Sequence, residues 1–143
     1  MATICIDLDG VVAGFKKEGQ TYADVLPIPK AVEKLCGLKA NGHRIILYTA
    51  RHMKTCQGNV GMVVARVGNI TLDWLKRHEI PFDEIYFGKP WADVYIDDNA
   101  LRFHSWDDIA DDGSNLPESN EKNSRQPQAT PRMGATEVTD SPK

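Results

Sequence analysis

Hydrophobic and polar positions along this chain fall into short blocks with two different periods. Thr3–Ile6, Arg44–Tyr48, Glu84–Phe87 and Val94–Ile96 are brief runs rich in Ile, Val, Tyr or Phe, and they predict four strands. After the first comes a loop through Gly14, Gly19 and Pro27, then a helix starting at about Pro29, a residue suited to a first turn. Ala31, Leu35 and Leu38 mark its apolar face, and Gly42 stands where a C-terminal cap belongs. A second helix is predicted over about Met62–His78, because Val63, Val67, Ile70 and Trp74 recur at helical spacing and Pro81 follows. The connection Gly88–Asp93 is too short to hold a helix. This βαβαββ-like series predicts an α/β fold, a three-layer Rossmann-like core around a parallel sheet.

The pattern stops near residue 107. Trp106 is the last aromatic residue, and polar residues dominate after it. Such a segment buries too little area to offset its ordering entropy. The expected organisation is one domain over residues 1–106 and a disordered polar tail over 107–143, with 107–110 forming one last turn. A chain of 143 residues and 15.9 kDa fits a single domain with a real core.

Charge and cysteine content narrow the function classes. A formal charge of −3 without a basic stripe argues against a nucleic-acid partner. No apolar run is long enough to span a membrane, and the start lacks the charged and small-residue features of a signal peptide. Three cysteines without close pairing fit reduced thiols, so a cytoplasmic protein is expected. Cys5 and Cys36 read as packing residues, and Cys56, in a polar loop, as the exposed one.

The candidate chemistry sits just past the strands. Asp7-Leu8-Asp9-Gly10 follows the first, Thr49 closes the second, Lys89 follows the third and Asp97-Asp98 closes the fourth. Ligands of open α/β sheets bind outside the carboxyl ends of the strands, so these groups would meet at one edge. Alone, Asp-Leu-Asp-Gly reads as a turn; four such pieces in order read as a site for a phosphate and a metal ion. Asp7, Asp9, Asp97 and a phosphate dianion would repel, each pair by roughly 4 kcal/mol at 4 Å and an effective dielectric of 20. One lysine cannot offset that, whereas a hard divalent cation with oxygen ligands, Mg²⁺ being the usual one beside phosphates, can. Arg51-His52-Met53-Lys54-Thr55-Cys56-Gln57-Gly58-Asn59 follows Thr49 directly and reads as a cationic recognition loop. Trp91 fits a wall of the substrate site and a packed loop residue equally well.

Asp-x-Asp-Gly, a strand-end Thr, a Lys and Asp-Asp, in that order, resemble the haloacid dehalogenase (HAD) phosphatase superfamily. Response-regulator receivers use similar residues but place the acid pair first. Tyr48-Thr49-Ala50-Arg51, Gly58-Asn59-Val60-Gly61, Phe82-Asp83-Glu84-Ile85 and Gly88-Lys89-Pro90-Trp91 further resemble its branch of capsule and surface-polysaccharide biosynthesis phosphatases.

The resemblance implies a Mg²⁺-dependent phosphomonoesterase acting on a small phosphorylated metabolite, a sugar or polyol phosphate. Asp7 would be the nucleophile and Asp9 the acid and then base, with Thr49 and Lys89 on the phosphoryl oxygens. Gly10, Ala50, Arg51, Lys54 and Asn59 would bind substrate. Mg²⁺ would be held by Asp7, Asp9 and Asp97, with Asp98 as the alternative or support to Asp97. The gaps between motifs are too short for a cap domain, so the site is expected to be open unless a partner subunit of a homo-oligomer covers it. A macromolecular phosphatase, acting on a phosphoprotein or a nucleic-acid end, and a non-catalytic phosphoryl- or metal-binding module are the rival readings.

Overall fold

A computed structural model describes residues 1–121. The elements run β1 (Thr3–Asp7), α1 (Ala31–Ala40), β2 (Arg44–Thr49), α2 (Val60–Arg77), β3 (Glu84–Phe87) and a single 3₁₀ turn at Trp106–Asp108. The strands form one parallel sheet in the order β1-β2-β3, with Asp7 beside Tyr48 and Thr49 beside Phe87. The α/β, Rossmann-like reading therefore holds, and no cap domain interrupts the described residues.

Both crossovers step the same way across the sheet. Right-handed connections then place α1 and α2 on one face. Burial agrees: Ile45, Leu47 and Thr49 of β2 are buried, while Ile46 and Tyr48 between them are half-buried. The core gathers Ile6, Leu8, Leu35, Leu38, Ile45, Leu47, Trp74 and Leu75. Its two indoles also tie loops down, Trp74 Nε1 donating to the Val25 carbonyl at 2.8 Å and Trp106 Nε1 to the Val11 carbonyl at 2.7 Å. Asn59 starts α2 by accepting a hydrogen bond from the Met62 N–H at 3.2 Å, an ordinary N-cap.

Three expectations are corrected. Val94–Ile96 forms no strand; it is exposed, Ile96 almost fully at 99%. A parallel neighbour needs a crossover of about a dozen residues, and Gly88–Asp93 is half that. The polar segment after Trp106 is folded as far as it is described. Ile109 is buried, Leu116 packs on the core, and Lys34 Nζ donates to the Ile109 carbonyl at 2.6 Å. His43 bridges the Ala2 N–H and the Asp112 carbonyl, so residues 107–116 clasp the foot of α1 and β2. The remainder of the expected tail, 122–143, lies outside the described residues. The cysteines are reversed: Cys5 and Cys36 are exposed and Cys56 is half-buried, because Cys5 lies on the sheet face away from the helices. No described helix is long and apolar enough to cross a membrane.

Candidate active site

The loops that leave β1, β2 and β3 enclose a cleft of about 440 Å³ at the carboxyl edge of the sheet. Asp7 enters it from the end of β1 and Asp9 from the loop that follows, Ala50, Arg51, His52 and Lys54 from the second loop, and Lys89 and Trp91 from the third. Three sequence-distant segments thus meet where parallel-strand geometry requires.

Asp7 is the last residue of β1. One carboxylate oxygen accepts from the Leu8 N–H at 2.9 Å, and the other lies 3.4 Å from Lys89 Nζ. Burial pushes its carboxyl above the usual carboxylate range, opposed by the Lys89 charge and the Leu8 hydrogen bond. Lys89 is set in place by its backbone, whose N–H donates to the Thr49 carbonyl at 3.1 Å. Its ammonium also sits 4.4 Å over the Tyr95 ring. Thr49 is buried, and its hydroxyl accepts from the Arg51 N–H at 3.1 Å, which leaves the hydroxyl proton to donate.

Arg51 has a different place from the one its sequence suggests. Its side chain is fully buried and grips Asp9: Nε reaches both carboxylate oxygens at 3.1 and 3.0 Å, and Nη2 one of them at 2.8 Å. Nη1 donates to the Thr71 hydroxyl at 3.1 Å, and the guanidinium lies 4.0 Å over the Tyr22 ring. A planar guanidinium suits such a bidentate, stacked position. The charge expected to meet substrate is thereby turned inward onto Asp9.

Other predicted residues also have local partners. Gly10, expected to bind substrate, donates its N–H to the Ala13 carbonyl at 2.7 Å. Glycine suits that position because φ is +87°, a conformation that L side chains rarely adopt. The Asn59 side chain caps α2. Asp97 and Asp98 lie in an exposed turn, where Asp97 accepts from the Asn99 N–H and Asp98 from the Asn120 amide. They do not join Asp7 and Asp9 within this chain, and no group of three His, Cys, Asp or Glu side chains suited to a metal exists among the described residues.

Both Asp9 carboxylate oxygens are held by Arg51, which leaves Asp7, in the cleft, as the carboxylate that could meet a hard cation such as Mg²⁺, an ion that takes one or two carboxylates and completes its shell with phosphate oxygens and water.

Sequence reasoning missed Phe15, Tyr22 and Tyr95 and reached His52 only as part of the recognition loop; all four line the cleft. Tyr22 is edge-on to His52 at 5.9 Å, and His52 Nδ1 is buried without a partner. Burial, then the charges of Lys16, Arg66 and Arg51, hold the His52 imidazole below its usual pKa. Their order along the chain carries no periodic signal, since loops alone bring them together. Lys54 lies 4.5 Å over the Trp91 ring, which favours a cleft wall for Trp91.

No family model and no curated protein matches this chain. Among solved structures it is similar to a crystallised target protein from Vibrio cholerae, with 38% identity and a TM-score of 0.65 over 71% of this chain and 84% of that one. A chain of the Pnkp1/Rnl/Hen1 complex matches at 22% identity and a TM-score of 0.45, over 68% of this chain and 30% of that one.

Proposed function

The chain belongs to the same family as the Vibrio cholerae protein, and we propose that it is a HAD-type, Mg²⁺-dependent phosphomonoesterase for a small sugar or polyol phosphate. The observation that carries this reading is Asp7, half-buried at the end of β1, with Lys89 3.4 Å from its carboxylate in an open cleft. A carboxylate so placed has a nucleophile's access to phosphorus, and the lysine neutralises charge on the phosphoryl oxygens.

In this reading an Asp7 oxygen attacks phosphorus, and the bond from phosphorus to the ester oxygen breaks. The leaving alkoxide takes a proton from Asp9. Water then attacks the aspartyl-phosphate, gives its proton to Asp9, and releases phosphate with Asp7 regenerated. To move protons, Asp9 has to loosen at least one of its three hydrogen bonds from Arg51. Thr49 and Lys89 hold the phosphoryl oxygens. Bound Mg²⁺, with Asp7 as its carboxylate ligand, would neutralise charge shared by Asp7 and the phosphate. A place in capsule or surface-polysaccharide synthesis rests on the sequence resemblance alone.

The test is phosphate release from sugar, polyol and nucleotide monophosphates, phosphopeptides and 3′-phosphorylated oligonucleotides, with Mg²⁺ or EDTA. The expected result is metal-dependent turnover of a sugar or polyol phosphate, lost in Asp7→Asn. Turnover confined to peptides or oligonucleotides would replace the substrate class. Undiminished turnover by Asp7→Asn would remove the mechanism.

A further inference from the structure

The acids of the cleft are already matched: Lys89 lies 3.4 Å from Asp7, and Arg51 holds Asp9. Three further cations stand near them. Lys54 Nζ lies 4.5 Å over the Trp91 ring, Lys16 Nζ lies 4.7 Å over the Tyr22 ring, and Arg66 of α2 acts on His52 through its charge. None of the three has an ion-pair partner among the described residues. Surface lysines are ordinarily just solvated. Lys16 and Lys54 differ because each rests on a ring that lines the cleft, which fixes its charge at the rim.

His52 joins them. Its φ is +58°, a conformation that costs energy in a side chain with a Cβ and that gathers at binding sites. Its ring stands edge-on to Tyr22, with centroids 5.9 Å apart. Nδ1 is buried without a partner, and no described residue bonds Nε2. An orphaned buried N–H is rarer than an under-used acceptor, so the one proton of the neutral ring is assigned to Nε2. That N–H is a donor with no acceptor among the described residues, on a residue that lines the cleft. The charges acting on this imidazole, those of Lys16, Arg66 and Arg51, are all positive.

The scissile phosphate does not account for this rim. A cleft of about 440 Å³ has room for a small-molecule ligand and not for phosphate alone. Asp7 and Lys89 mark its reacting end. Contacts from Asp9 to Arg51, and from Arg51 to the Tyr22 ring at 4.0 Å, lead from that end to Lys16 and His52. We propose that Lys16, Lys54 and the Nε2–H of His52 form a second anion subsite, and that the preferred substrate is a sugar or polyol phosphate carrying a further carboxylate or phosphate remote from the phosphoryl group at Asp7. The substrate class rests on the phosphatase reading. Each ammonium meets either anion as a point charge, and the imidazole N–H adds a directional bond. Lying away from the reacting atoms, these contacts tighten binding without entering the chemistry.

The test is calorimetric titration of full-length Asp7→Asn with Mg²⁺, in 0.15 M KCl, where the Debye length of about 8 Å screens long-range attraction. Two pairs of ligands are compared: glucose 6-phosphate with 6-phosphogluconate, and fructose 6-phosphate with fructose 1,6-bisphosphate. At least one doubly anionic member should bind roughly ten-fold tighter than its singly anionic counterpart. Adding Lys16→Met and Lys54→Met should remove most of that gain, with an unchanged circular dichroism spectrum. His52→Asn, which tolerates a positive φ and withdraws the donor, should remove a smaller part. A gain with 6-phosphogluconate alone names a carboxylate, and with the bisphosphate alone a second phosphate. Equal affinity within both pairs, including no measurable binding of any of the four, overturns the proposal, and so does a gain that survives loss of both lysines. Phosphate release by the wild type separates this failure from that of the phosphatase reading. Metal-dependent turnover of singly anionic esters, with no gain from a second charge, removes the subsite and keeps the phosphatase. A gain in binding without turnover of any ester keeps the anion subsite and sinks the phosphatase.

Discussion

Arg51 shows how one side chain ties the cleft to the core. Its guanidinium is buried, and it meets Asp9, Thr71 and Tyr22 at once. Removing one partner of such a pair leaves a charge without compensation, which costs about 3–5 kcal/mol when both are buried. Asp9 keeps some contact with solvent, so the lower end applies. Arg51→Ala is expected to lose about 3 kcal/mol in urea unfolding. Arg51→Lys should recover only part of that, because an ammonium cannot span both carboxylate oxygens and the Thr71 hydroxyl. Equal stability of the alanine variant and wild type would show that the pair contributes nothing net. His52 makes a pH-dependent contribution of definite sign. Its folded pKa is depressed, so its neutral form is favoured in the fold. The stability tied to it is complete above the unfolded value of about 6.5 and falls as pH drops through that value to the folded pKa. Unfolding of wild type and His52→Gln between pH 8 and pH 5 should therefore diverge, the variant losing less stability at the acid end.

At the scale of elements, α1 is held by a segment that composition marks as tail. A Cβ on Gly37 would lie 2.8 Å from the Asp111 carbonyl oxygen, so the helix and residues 107–116 meet where only glycine fits. Alanine for glycine inside a helix gains about 1 kcal/mol of propensity, while overpacking costs about 1–3. Gly37→Ala should therefore lower stability despite the better helix former, as read from urea midpoints; a rise would mean that the clasp is loose. The same contact explains what the sequence could and could not disclose. Periodicity exposed α1, α2 and three strands because burial imposes it. The clasp depends on Ile109, Leu116 and the His43 and Lys34 hydrogen bonds to backbone carbonyls, none of which has a period. Val94–Ile96 has the local character of a strand, but whether it pairs is set by connection length. Asp7 and Lys89 were legible because strand ends converge, and Tyr22 and Tyr95 were not, because loops delivered them. Arg51 was visible as a cation, yet its partner lies 42 positions away, at Asp9.

For the molecule as a whole, net charge and local charge have opposite signs. The chain is formally −3, yet the cleft and its rim gather Lys16, Arg51, Lys54 and Lys89. Asp9 and Asp7 balance Arg51 and Lys89. Lys54 and Lys16 instead lie over the Trp91 and Tyr22 rings, an arrangement that stabilises a cation without cancelling its charge. A cleft with this excess draws an anionic substrate against the sign of the whole chain, and salt weakens the pull as the Debye length shrinks from about 30 Å at 0.01 M to about 10 Å at 0.1 M. On the phosphatase reading, kcat/KM should fall as KCl is raised over that range, chiefly through KM. Lys54→Met keeps a long apolar stem against Trp91 and removes the charge. Its KM at low salt should rise several-fold and its salt dependence flatten, with kcat little changed, since Lys54 is placed to attract substrate rather than to touch the reacting atoms. A salt response as steep as wild type would put the attraction in Lys89 and Arg51 alone and leave Lys54 as a support for the Trp91 wall.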